Sequence, residues 1–331
     1  RLSFYDKGGW RIIYLSCFMI WVVPILFWID YMSRFSEETL KGWERPASKS
    51  EEQRISNTIR MIKEAINSSE VLKSRRNNIE VFIQGSYENN TNVRVNSDID
   101  VCVMLKLPFF TLYPIGYDRS DYGFTSGDYS FNQFKRDLFE ALNNKFPEVK
   151  AGNKSLKITN SSHRVEADAV PAFQYRNYRQ IGSHNSNKFI EGIKFYSNNA
   201  KEVINYPKQH IRNGKTKNEA TQRRYKRLVR VVKRIRHQMI KESKPVDNAI
   251  SSFLIECLIW NLPNEIIVID CPTERLKQTM IFLHNATLDE NRCREWKEVS
   301  NILPLFDNTR KWNILKTNLF IRQMWHYLEF K

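Results

Sequence analysis

Gln84-Gly-Ser-Tyr-Glu-Asn-Asn-Thr-Asn-Val-Arg-Val-Asn-Ser-Asp-Ile-Asp100 is the stretch on which the reading of this chain turns. It follows a short apolar run, Glu80-Val-Phe-Ile83, and leads into Asp98-Ile-Asp-Val-Cys-Val-Met-Leu105; both runs read as strands. Two residues apart on a strand, Asp98 and Asp100 project from one face, while Ile99 and Val101 face the other way. Carboxylates that close repel and raise one another's pKa. A divalent cation relieves the repulsion, and hard oxygen donors suit Mg²⁺, with Mn²⁺ as an alternative. Gly85 lacks a Cβ, which lets backbone N–H groups approach a phosphate, and the Ser86 hydroxyl can donate a further bond. A third strand is expected at Arg164-Val-Glu-Ala-Asp-Ala-Val170, ended by Pro171, and its Asp168 supplies a third carboxylate. Three acids beside a phosphate cradle suit phosphoryl transfer with two metal ions. One ion activates the attacking hydroxyl and the other neutralises the triphosphate and leaving pyrophosphate. The bland alternative is an Asp-rich surface loop with a structural third Asp.

Outward from this block, Ser50 and Gln53 resemble a capping box, and Ile55, Ile59, Ile62 and Ile66 recur at helical spacing. A second helix is expected over residues 131–146, stopped by Pro147, after an exposed loop at 114–130. Residues 33–48, with Gly42 and Pro46, read as a linker or lead-in. Beyond Pro171 the character changes. Residues 201–240 hold 13 Lys and Arg against Glu202 and Glu219, a net +11. Within them Tyr225, Leu228, Val229, Val232, Ile235 and Met239 keep a helical stripe. From Ser251 onward the pattern is mostly helical. The expected architecture is α/β (α+β), with a mixed-sheet lobe over residues 32–200 and a helical lobe over 201–331.

The 331 residues carry a net charge of +16, 41% hydrophobic residues and five scattered cysteines without a CxxC pair. This excludes a disordered or collagen-like chain and argues against a disulfide framework or thiolate zinc site. Residues 12–29 are uncharged and long enough to span a bilayer. Either they anchor the chain, or Met32 is the true start and residues 1–31 are upstream sequence.

The Gly-Ser and Asp-x-Asp spacing, with the later strand Asp168, strongly resembles the nucleotidyltransferase superfamily typified by DNA polymerase β. Over residues 33–325 the resemblance is closest to bacterial CD-NTases, relatives of cyclic GMP-AMP synthase and oligoadenylate synthase. It rests on the Gln84 block, Ser97–Val103, Val165–Pro171, Ile204–His210 and Ser251–Cys257. It implies a polymerase β-like nucleotidyltransferase lobe completed by the helical lobe. It further implies synthesis of a cyclic di- or trinucleotide from ATP and other NTPs, in antiphage (CBASS) defence, with a separate cyclic-nucleotide-activated effector. By the same resemblance Gln84, Gly85 and Ser86 bind nucleotide, Lys233 and Ser252 clamp the donor triphosphate, and Phe253 stacks on a base. Read from the residues alone, Lys233 is equally a solvated helix charge, Ser252 a helix cap and Phe253 a core residue. His163, His184, His210 and His237 read as isolated, and no His/Cys cluster matches the zinc insert with which cyclic GMP-AMP synthase binds DNA. No nucleic-acid template is therefore expected, and NTP supply places the enzyme in the cytoplasm, or on the cytoplasmic face if 12–29 is an anchor. The rival readings are an enzyme extending RNA or tRNA 3′ ends, an RNA-activated oligoadenylate-type synthase, and a non-catalytic membrane-tethered scaffold.

Overall fold

A row of acid-bearing strands forms the centre of one mixed sheet. The computed structural model describes residues 33–46, 52–93, 98–182 and 184–331. Its strands are β1 (Ile79–Gln84), β2 (Ile99–Leu112), β3 (Val149–Ala151), β4 (Leu156–Ile158), β5 (Ala167–Asn177), β6 (Ile190–Tyr196) and β7 (Glu202–Asn205). The order is β1-β2-β5-β4-β3; β6 pairs with the far half of β5, and β7 pairs with β6. Only β2 and β5 run parallel. Single turns aside, the helices are α1 (Glu37–Trp43), α2 (Glu52–Ser68), α3 (Phe131–Lys145), α4 (Pro207–Ala220), α5 (Tyr225–Lys241), α6 (Ser252–Trp260), α7 (Pro272–Ala286) and α8 (Ile314–Tyr327).

The apolar spacing expected for α2 holds. Ile62 and Ile66 are buried, in one core with Phe134 and Leu138 of α3 and with Val101 and Ala169 of the sheet. Ser130 and Gln133 close a capping box at the start of α3. A second core, around Leu228, Ile235, Leu254, Leu276 and Met324, unites α5 to α8. The mixed sheet and the helical lobe thus stand as expected.

Four readings need correction. Pro171 does not end its strand, because β5 continues to Asn177. On the β5 edge away from β2, β4 pairs residues 167–169 and β6 pairs residues 173–177, so Pro171 falls where neither needs an N–H. The 114–130 segment is not merely an exposed loop. Tyr122 and Tyr129 are buried, and the Tyr129 hydroxyl donates to Asp137 Oδ2 at 2.6 Å. Residues 33–46 are no linker either. Ser36 caps α1, and Leu40 is fully buried in the helical-lobe core. Finally, β7 carries the sheet past residue 200 to Asn205. Among the described residues no helix is long and apolar enough to cross a membrane. The 12–29 run, Met32 and Ser50 lie outside the described residues.

Candidate active site

Strand register places the functional groups. Gln84 on β1 stands opposite Asp100 on β2, and Asp100 stands beside Asp168 on parallel β5. Lys157 of β4 is next in the same row. Neighbours in register share a face of the sheet, so residues distant in sequence meet there. Asp98 immediately precedes β2. Its Oδ2 lies 3.1 Å from Lys157 Nζ, which also meets Glu166 Oε1 at 3.0 Å.

The acids are not comfortable together. Burial, then the charges of Asp168 and Asp98, push the Asp100 carboxyl up to about 6. The Asp168 carboxyl is raised as well, chiefly by burial, against a hydrogen bond from Ser155. Gly85 allows this crowding. Its φ is +72°, and a Cβ there would sit 2.3 Å from Asp100 Oδ2. The glycine therefore makes room for the Asp100 carboxylate.

Among the described residues no three His, Cys, Asp or Glu side chains already converge as an ion site, Asp98 being engaged by Lys157. The donor set nevertheless fits a divalent cation. Asp100 and Asp168 stand side by side on the sheet with hard carboxylate oxygens, and burial, then neighbouring acid charge, raises both, a penalty that a bound cation would relieve.

A cleft of about 570 Å³ lies over this row. Gln84, Gly85, Ser86, Asp100 and Asp168 line it from the sheet, and Lys233, Ser252 and Phe253 line it from the helical lobe. Asp98 opens onto an adjoining cavity of about 270 Å³ that shares Ser86, Lys233 and Ser252 with the cleft. The structure thus gathers every residue singled out from the sequence.

Their surroundings refine the reading. Lys233 is no solvated helix charge: it is 2% exposed, and its amine donates to Glu256 Oε2 at 2.9 Å and Thr91 Oγ1 at 3.0 Å. Ser252 is not the cap of α6, because Ser251 accepts from the Leu254 N–H in that role. Phe253 packs partly into the helical core, with its ring 5.8 Å from His210 and 6.1 Å from Trp312. His210 is neither isolated nor ordinary; it is buried and hydrogen-bonded to Glu256 Oε1 at 3.0 Å. Glu256, Glu298, Arg310, Trp312 and Lys154 also line the cleft, and none was singled out. For Glu256 and His210 a signal existed in the Ser251–Cys257 and Ile204–His210 blocks. Nothing in local spacing marks Glu298 or Arg310, which meet at 2.5 Å. Lys154, Lys233 and Arg310 bring three basic side chains to the cleft lining, and burial, then Lys311, Lys201 and Arg310, push the Lys154 amine down.

Comparison with known proteins agrees with this geometry. Residues 66–177 match the family model of the nucleotidyltransferase domain, and residues 212–329 match that of the cGAS/DncV-like nucleotidyltransferase C-terminal helical domain. The chain is 44% identical over 302 residues to the cyclic dipyrimidine nucleotide synthase CdnE of Cecembia lonarensis, covering 90% of this chain and 100% of that one. It is 37% identical over 320 residues to the cyclic GMP-AMP synthase CdnE03 of Staphylococcus schleiferi, covering 89% and 97%. The structure of Elizabethkingia meningoseptica CdnE cyclic dinucleotide synthase with GTP and Apcpp matches at a TM-score of 0.74 and 33% identity, covering 89% of this chain and 99% of that one. The chain belongs to the CD-NTases, the cGAS/DncV-like nucleotidyltransferases that make cyclic oligonucleotides.

Proposed function

We propose that this chain joins two NTPs, ATP among its substrates, into a cyclic dinucleotide with release of pyrophosphate, using two Mg²⁺ ions and no nucleic-acid template. The observation that carries the reading is the register of Asp100 beside Asp168 under a cleft whose other wall presents Lys233 and Ser252. Dinucleotide rather than trinucleotide is favoured by the two relatives described above, a cyclic dipyrimidine nucleotide synthase and a cyclic GMP-AMP synthase. The work belongs to the cytoplasm, where NTPs are available, and to antiphage defence, with the product acting on a separate effector.

In this reading Asp98, Asp100 and Asp168 would hold the ions, Asp98 in place of its contact with Lys157. Bound there, the ions supply Lewis acidity toward the attacking hydroxyl and neutralise the leaving pyrophosphate. Asp100 and Asp168 orient that hydroxyl and draw on its proton. The Gly85-Ser86 turn, the Ser252 hydroxyl and the Lys233 amine hold the donor triphosphate. Phe253 offers a ring to a base. A polymer acceptor has less support, because much of the basic 201–240 stretch serves the protein itself. Lys208 bridges Glu80 and Glu191, Arg230 binds the carbonyls of Glu44 and Asn90, and Arg234 binds those of Trp43 and Arg45.

The test is incubation with labelled NTPs, with and without Mg²⁺, followed by phosphatase digestion. A phosphatase-resistant product formed only with the ion supports the reading. A phosphatase-sensitive linear product, or activity lost after nuclease treatment of the enzyme, overturns it.

A further inference from the structure

Beneath the cleft, four polar side chains from both lobes form one closed network. Thr91 belongs to the sheet lobe, His210 to α4, Lys233 to α5 and Glu256 to α6. All four are buried, Glu256 at 3% exposure and Thr91 at none. Glu256 Oε2 accepts from the Thr91 hydroxyl at 2.8 Å and from the Lys233 amine at 2.9 Å, while Oε1 meets His210 Nε2 at 3.0 Å. Lys233 also donates to the Thr91 hydroxyl and carbonyl, at 3.0 and 3.3 Å. Thr91 in turn donates its backbone N–H to the Ser86 carbonyl at 2.9 Å. The chain of contacts runs from His210 through Glu256 to Lys233 and Thr91, and ends at the turn that carries Ser86.

An ammonium this deeply buried holds its charge only beside an anion. Glu256 is that anion. Burial alone would raise its carboxyl, but the Lys233 charge and the His210 bond outweigh burial and hold it well below the usual carboxylate range. Lys233 borders both cavities over the acid row, whereas Glu256 borders the cleft alone. Ser86, on the opposite lobe, is fixed to the same carboxylate through Thr91.

We infer that Glu256 is the positioning residue of the triphosphate subsite. It pairs with the Lys233 amine and fixes it relative to the Ser86 turn, with His210 holding the other carboxylate oxygen. Glu256 acts through Lys233, since both of its carboxylate oxygens are taken up by Thr91, Lys233 and His210. The inference rests on the reading of Lys233 as a triphosphate ligand.

A double-mutant cycle separates the two. The full chain is prepared as Lys233→Met, Glu256→Gln, the pair, and His210→Asn. For each, kcat and KM for ATP are measured, together with a thermal unfolding curve. Lys233→Met is expected to raise KM about 30-fold and Glu256→Gln about tenfold, each changing kcat less than about threefold. Because Glu256 acts through Lys233, the pair is expected to match Lys233→Met within about twofold rather than to multiply. His210→Asn, which spares the Lys233–Glu256 contact, is expected to raise KM about threefold and keeps the question answerable if Glu256→Gln fails to fold. Multiplying effects, a Glu256→Gln or His210→Asn loss confined to kcat, or an unchanged KM in a folded Glu256→Gln or His210→Asn overturn the inference alone. An unchanged KM in Lys233→Met overturns the Lys233 reading and the inference with it.

Discussion

The two walls of the cleft treat charge in opposite ways. On the sheet wall, Asp100 and Asp168 stand side by side, and burial, then neighbouring acid charge, raises both carboxyls. On the helical wall, Lys233 and Glu256 are more deeply buried but saturated with partners, and the Glu256 carboxyl is lowered. The first arrangement costs stability and is ready for an incoming cation. The second keeps each buried charge paired, so that breaking the pair is costly, and holds the Lys233 amine still. Functional residues can thus destabilise or stabilise a fold according to whether their partner is the substrate or the protein.

The contrast breaks most plainly by removing an acid. Asp100→Asn or Asp168→Asn is expected to lower product formation by at least about 10³-fold while leaving the melting temperature equal or higher, since a repulsion disappears. A melting temperature several degrees lower would show that the acid row is structural. On the other wall the expectation inverts: Glu256→Gln or Lys233→Met alone leaves a buried charge without its counter-charge and is expected to cost about 3 kcal/mol or more. Replacing both removes the pair and is expected to restore most of that loss, as read from urea unfolding of all three variants. Gly85→Ala falls between the walls. Its Cβ meets Asp100 at a positive φ, so about 1–3 kcal/mol of strain is expected, with at least a tenfold loss of turnover.

Acidity sharpens the comparison by sign. Glu256 lies below its unfolded value, so its contribution is complete above about pH 4.5 and is lost as pH falls further. Asp100 lies above its own, raised from 3.8 to about 6, so stability falls as pH rises between those values. In ion-free protein, Asp100→Asn is expected to flatten the slope between about pH 4 and 6, and Glu256→Gln the slope below about 4.5. The smallest effect is expected of Lys157→Ala. Its half-exposed amine bridges Asp98 and Glu166, and its loss is expected to leave the unfolding midpoint nearly unchanged. A large loss would mean that Lys157, rather than an ion, neutralises the row.

Much of the sheet wall was legible because its information is local. A glycine before a serine, two alternating aspartates and a short apolar strand each announce themselves within a few residues. Asp168 lies 68 residues beyond Asp100, yet its strand pattern and acid type were enough to place it. The helical wall was legible in part, since the resemblance to CD-NTases pointed to Lys233 on the helix that carries the α5 stripe. Its partner Glu256 is 23 residues away, and Thr91 is 142 residues away on the other lobe. Periodicity carries no information about such a meeting, so Lys233 read equally well as a solvated charge. The same applies to His210, whose neighbours in sequence say nothing of Glu256. Pro171 misled because a proline rule for central strands assumes neighbours on both sides at every residue, and β5 changes neighbour at that point.

The seat of α1 has a topological consequence. Arg34 donates its backbone N–H to Leu328 at 2.9 Å, and Leu40 is buried among residues of α5 to α8, so the helical lobe is assembled from both ends of the described chain. The sheet lobe is an insertion within it. During synthesis, Phe35, Leu40 and Trp43 leave the ribosome before any residue of α5 to α8 exists. At usual elongation rates the helix then waits on the order of ten seconds for its partners, with its apolar face uncovered. The sheet lobe can fold in that interval. The cleft, which needs both lobes, cannot close over substrate until the last helix is made.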